Sequence, residues 1–228
     1  AGVGHRLGRP GARGVEAVLG TGQLNWTVSR HVGDAGAFHA LTPDAHRQVL
    51  LFDADLGRAN VDIQLGLTPR LDLASVISGK ATIADATLRH GDGGFAIVAG
   101  RSGSGLLSAL DPPTLERMLA ALQIEAAEYD VVLLDLGAGL ERSVRRMAAW
   151  ADGLLVLATD EPTSLTDAYA VLKLYAADRP DGNARIVVNQ AATRAAGERT
   201  FATLERACQT FLGRAPGLAG IVRRDERV

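Results

Sequence analysis

Three aspartates carry the chemistry most readily suggested by this chain. Asp53 and Asp55 follow an apolar run in "QVLLFDADLGRANVDIQLGL" (48–67) and stand one residue apart. Past the end of a strand, residues i and i+2 point to the same side. Two carboxylates so placed could hold a water shell around magnesium or orient an attacking water. Spacing alone slightly favours a blander reading, a solvated loop in which Asp serves as a turn former. Asp135 repeats the theme in "VVLLDLGAGL", four apolar residues, an acid and a glycine-rich turn. Its carboxylate has the form of one that reaches magnesium through water; an ordinary strand-to-helix turn gives the same pattern. Gly137 and Gly139 would let backbone approach a terminal phosphate. Asn189 closes "ARIVVN", and a carboxamide offers the donor and acceptor that match an adenine edge; a plain polar strand end explains it equally well.

These residues need a scaffold, and the apolar runs supply one. "QVLLFD" (48–53), "FAIVAG" (95–100), "YDVVLLD" (129–135), "GLLVLAT" (153–159), "ARIVVN" (184–189) and "LAGIV" (218–222) are nearly continuous rather than alternating. Such runs mark strands buried on both faces of a parallel sheet. Helical patterns separate them. Asp111 caps a helix opened by Pro112 and Pro113, with Leu115, Met118, Leu119 and Leu122 on its apolar face. Ser164 and Asp167 stand at near-capping-box spacing before a stripe of Leu165, Ala168, Tyr169 and Leu172. Phe201, Leu204, Cys208 and Phe211 share one face of a third helix that ends at Gly213. Alternation of this kind predicts an α/β fold, a mostly parallel doubly wound sheet flanked by helices on both faces. Ligands in such sheets sit at the carboxyl ends of the strands.

Composition narrows the function classes. The chain has 228 residues, 47% of them hydrophobic and 22% charged, enough for one large domain and too little charge for a disordered one. A net charge of −2 gives no reason to expect nucleic acid as the main partner. One cysteine, Cys208, allows no intrachain disulfide, which suits a cytoplasmic setting. No apolar run is long enough to span a membrane, and the N-terminus carries no signal pattern. The chain begins at Ala1, as a fragment or a processed product would. His5, His31, His39 and His46 lack metal-ligand spacing, so no zinc site is expected. The serines of "GRSGSGLLS" do not form a nucleophile elbow.

Together, "VLLFDADLGRANVDIQLGLTP", "DVVLLDLGAGLERSV", "EPTSLTDAYAVLK" and "IVVNQAATRAAGERTF" resemble the MinD/ParA group of deviant-Walker ATPases. The third stretch (161–173) resembles most the flagellar number and placement regulators of the FlhG/FleN type. The resemblance covers roughly residues 46 to 228. It implies an ATP- and magnesium-dependent switch. Asp53 would lie near magnesium and its waters, Asp55 would orient the hydrolytic water, and Asp135 would be the Walker B carboxylate. Gly139 would meet the γ-phosphate, and Asn189 would read adenine with the loop around Asp225 beside it. The implied partners are a second copy in an ATP-dependent homodimer, a flagellar GTPase of the signal-recognition type, basal-body switch proteins and a flagellar transcription activator. The implied location is the cytoplasm, with peripheral attachment at the inner face of the membrane left open. Leu136 departs from the Thr or Ser usual after the Walker B acid, and Arg223 from a proline common near the end of the family's domain.

The largest departure is upstream. The family's K-G-G-x-G-K-T phosphate loop belongs about 22 residues before the first switch aspartate, which falls at His31 and Val32. No lysine stands there: Lys80 and Lys173 are the chain's only lysines, and no G-K-[ST] occurs anywhere. "SGKAT" (78–82) has Ala81 where the magnesium-binding hydroxyl belongs and follows a helical pattern, so Lys80 reads as a solvated lysine. "AVLGTGQ" (17–23) reads as a first strand with a remnant loop, keeping Gly20 and Gly22. Residues 1–46 form an atypical N-terminal segment, with nine glycines within residues 1–36 and four of the five histidines. Residues 47–228 form the ATPase-like part of one domain. Three expectations follow. The first is a flagellar dimerisation switch. The second is a nucleotide-free pseudo-ATPase binding module, set against a shifted reading frame or foreign N-terminal text. The third is a ParA-type cargo or DNA positioning ATPase, which the net charge does not support.

Overall fold

The computed structural model describes residues 48–55, 59, 61–90, 95–100 and 110–224, and residues 15–20 by their backbone. Eight strands form one sheet: β1 (Val15–Gly20), β2 (Val49–Asp53), β3 (Thr87–Arg89), β4 (Ala96–Val98), β5 (Val131–Asp135), β6 (Gly153–Ala158), β7 (Asn183–Ala191) and β8 (Gly217–Arg223). Their order is β3-β4-β2-β5-β1-β6-β7-β8. Every pairing is parallel except that of β3 with β4. The sequence expectation of a parallel sheet holds. The short antiparallel β3, three residues with no apolar run, left no legible signal.

The strands are apolar on both sides because both sides are covered. Leu50, Phe52, Val132, Leu134, Leu154, Val156, Ile186 and Val188 point into the larger core. Helices α4 (Pro112–Glu125), α5 (Arg142–Trp150), α6 (Pro162–Asp178) and α7 (Arg194–Leu212) close over it. Two short helices, α2 (Leu73–Ile77) and α3 (Ile83–Ala86), contribute Leu73, Ile83 and Ala86 to the same core. On the opposite face Val49, Leu51, Ile97 and Leu133 pack with Val61 and Leu65 of α1 (Val61–Leu65).

Local chemistry explains the helix starts. The Asp111 carboxylate accepts from Thr114 N–H at 2.7 Å, and the two prolines occupy the first turn of α4. Leu115, Met118, Leu119 and Leu122 are buried, as their spacing predicts. Helix α6 corrects the expectation of a Ser164–Asp167 capping box. It starts earlier, at Pro162, and no side chain caps it. Ser164 is instead buried in its first turn and accepts from Thr159 N–H at 2.9 Å. Phe211 is a second correction: it is 74% exposed on the rim of α7 and meets the edge of Tyr169, with ring centroids 6.4 Å apart. The strand β8 is a third. As the outermost strand beyond β7 it leaves Leu218 and Val222 exposed, so its apolar run did not mean burial on both faces.

Candidate functional site

The neighbouring strands β2 and β5 end in acids at the same height. Asp53 and Asp135 are register partners, and Ala54 N–H donates to the Asp135 carbonyl at 2.8 Å, carrying the pairing past the strand end. Asp53 is 1% exposed and Asp135 4%. A solvated loop at Asp53 is thereby ruled out. Two adjacent carboxylates removed from water cannot both ionise cheaply. Burial first, and the Asp135 charge second, push the Asp53 carboxyl up to about 7.

Three glycines make room for this arrangement. Gly100 follows β4, where a Cβ would fall 3.2 Å from the Asp53 carboxyl carbon. The motif reading passed over Gly100; a residue without a side chain at the end of the strand beside a buried acid was its signal. Gly137 has φ +63°, a conformation that favours glycine, and the Asp55 carboxylate lies against it where a side chain would project. The Glu141 carboxylate lies against Gly139 in the same way.

Hydrogen bonds tie the acids to the backbone after them. Asp53 accepts from Asp55 N–H and from Val61 N–H, each at 3.3 Å, so its carboxylate fixes both the turn after β2 and the start of α1. Asp135 accepts from Gly137 N–H at 3.2 Å. Asp53, Asp55, Asp135 and Gly137 are therefore one cluster, with Gly139 two residues further along the same turn.

Asn189 lies near the end of β7, separated from β5 by β1 and β6. Its carboxamide oxygen accepts from Gln190 N–H at 2.9 Å, and Gln190 has φ 54°, the one non-glycine residue with positive φ among those described. Asp225 lies outside the described residues. So do residues 21–47, where the phosphate loop and its remnant were sought, and the serine loop at 101–109. Lys80 is exposed just after α2, as expected of a solvated lysine.

Among the described residues no group of three or more His, Cys, Asp or Glu side chains is arranged to hold a metal ion by itself. A cation at Asp53 and Asp135 would complete its shell with water or ligand oxygens. The donor set still fits one, since a divalent charge relieves both the repulsion and the desolvation of two paired carboxylates. Among the described residues, no helix is long and apolar enough to cross a membrane.

A parallel α/β sheet with buried acids at the carboxyl ends of adjacent strands defines a ligand-binding type of α/β protein. No family model matches the chain. It is 38% identical over 185 residues to the antiactivator FleN of Pseudomonas aeruginosa, covering 81% of this chain and 66% of FleN. It is 23% identical over 157 residues to the flagellum site-determining protein YlxH of Helicobacter pylori, covering 69% of this chain and 52% of that one. Among solved structures, the septum site-determining protein MinD of Pyrococcus horikoshii, complexed with Mg-ADP, superimposes with a TM-score of 0.65 at 19% identity, covering 93% of this chain and 82% of MinD. A ParA family ATPase from Chlorobium tepidum gives a TM-score of 0.68 at 22% identity, covering 95% and 86%. The chain belongs to the MinD/ParA-type ATPase family, in its flagellar regulator branch. It spans between about half and two thirds of the length of FleN and YlxH, 66% and 52%.

Proposed function

We propose that this chain is the switch part of an ATP-dependent dimerising regulator of flagellar number or placement. The observation that carries the reading is the register pairing of buried Asp53 with Asp135, with Asp55 folded onto Gly137 beside them. The 38% identity to an antiactivator supports the flagellar assignment.

Magnesium, when bound, would neutralise phosphate charge at this end of the sheet. Asp53 and Asp135 would hold its waters, and the low exposure of both would keep bulk solvent away. Asp55, less buried than Asp53, orients the water that attacks the terminal phosphate. Gly137 and Gly139 bring backbone close to that phosphate, which requires the Asp55 and Glu141 carboxylates to leave their present positions against those glycines. Asn189, with Asp225, reads adenine. The homodimer forms face to face across these strand ends and opens on hydrolysis. Its protein partners are a flagellar GTPase of the signal-recognition type, basal-body switch proteins and a flagellar transcription activator. The site of action is the cytoplasm, including the inner face of the membrane.

The absence of any G-K-[ST] in the chain favours a second reading, a nucleotide-free binding module that keeps fold and partner surface. Nucleotide binding and turnover by Asp55→Ala tests the first reading. Binding should stay within about threefold of wild type while turnover falls at least about 100-fold. Unchanged turnover refutes the role of Asp55; no binding by the wild type establishes the second reading.

A further inference from the structure

The end of β6 holds a polar group that the switch reading does not use. Thr159 is 6% exposed, and its hydroxyl oxygen is buried without a hydrogen-bond partner among the described residues. The backbone beside it is satisfied, since Thr159 N–H donates to the Ser164 hydroxyl at 2.9 Å. A buried hydroxyl left unpaired carries a desolvation cost that an apolar side chain of the same shape would avoid. An orphan of this kind calls for an explanation.

Register supplies it. Strand β6 lies between β1 and β7, and its last paired residue, Ala158, stands opposite Val188. Ala158 and Val188 both point into the large core beneath α4 to α7. The next residues along the chain, Thr159 and Asn189, therefore leave neighbouring strands at the same height. Both residues thus stand at the carboxyl end of the sheet, where a ligand of such a fold belongs. Next to them the chain runs irregularly, with Gln190 at φ 54° and a register shift between Val188 and Ala191. Strained backbone next to an unpaired polar group is a pattern of sites whose partner is a ligand.

We propose that Thr159 is a second hydrogen-bonding residue for the base side of a bound adenine nucleotide, working beside Asn189 and satisfied only when that nucleotide is present. The inference rests on the nucleotide reading of the site. A hydroxyl can donate and accept at once, so it complements a carboxamide whose oxygen is already turned onto Gln190 N–H.

Thr159→Val keeps the shape and removes the hydroxyl; Thr159→Ser keeps the hydroxyl and removes a methyl. Two measurements on each full chain decide the matter: melting temperature without nucleotide, and calorimetric affinity for ATP with magnesium. The valine variant should melt about 3 °C higher than wild type and bind ATP about tenfold more weakly. The serine variant should keep wild-type affinity. A valine variant that binds ATP as tightly as wild type overturns the assignment while leaving the nucleotide reading standing. A valine variant that melts lower than wild type also overturns it, because the hydroxyl is then a structural group. A wild type that binds no ATP overturns both.

Discussion

The two ends of the sheet differ in what their polar groups do. At the amino ends several polar side chains pair with backbone. The Arg179 guanidinium donates to the carbonyls of Ala149 (3.0 Å) and Ala151, joining the end of α5 to the approach to β6. The Arg214 guanidinium donates to the Pro180 and Gly182 carbonyls ahead of β7. Gln48 and Asp130 exchange hydrogen bonds where β2 and β5 begin. At the carboxyl ends the same strands finish in two buried acids, an unpaired hydroxyl and a residue in left-handed backbone. Each of those features costs stability. The amino ends carry bonds that join elements; the carboxyl ends retain groups whose cost a bound ligand would offset.

Mutations at the two ends should therefore have opposite signs, and the largest change belongs to Asp53. Its folded pKa, about 7, lies above the ordinary value of 3.8. Between those values the folded state keeps a proton that the unfolded state has released. Stability must then fall as pH rises through that window and level off above about 7. The full penalty is on the order of 4 kcal/mol and belongs to the Asp53–Asp135 pair. Asp53→Asn should remove it. Urea denaturation should show the variant more stable than wild type near about pH 8, with the gap closing toward about pH 4. A wild type whose stability is flat across that range would erase the contrast between the two ends.

Arg179→Ala probes the other end with the opposite sign. Two carbonyls lose a charged donor, and stability should drop by about 1.5–3 kcal/mol with nucleotide affinity unchanged. A loss of affinity without a loss of stability would place function at the amino ends too. The smallest effect belongs to the surface. Arg145 donates to Asp178 through two nitrogens, at 2.8 and 2.6 Å, but both partners lie in solvent reach. Arg145→Ala should leave the melting temperature within about 2 °C of wild type.

How far the sequence foretold this contrast depends on whether a feature is local. The parallel sheet was legible because strands buried on both faces must be apolar throughout, as "VVLLD" and "VLLFD" are. The start of α4 was legible because a cap and two prolines act within one turn. The depth of Asp53 was not, since its burial comes from β5 and Gly100, 82 and 47 residues away along the chain. The same holds for Thr159, whose orphaned hydroxyl depends on what fails to reach it across the sheet. Ser164 was misread because its position suggests a cap, while in the fold its hydroxyl is taken by Thr159 N–H. Phe211 followed the periodicity of α7, but the helix outruns the core and leaves that ring on the rim.

The buried acids at the carboxyl ends of β2 and β5 are proposed to meet a magnesium-bound nucleotide. Calorimetric titration of ATP into the wild type and into Asp135→Asn, each with and without magnesium, tests this most directly. The account predicts micromolar binding by the wild type that requires magnesium, and weaker, magnesium-insensitive binding by the variant. A folded wild type that gives no binding heat up to millimolar ATP with magnesium would contradict it.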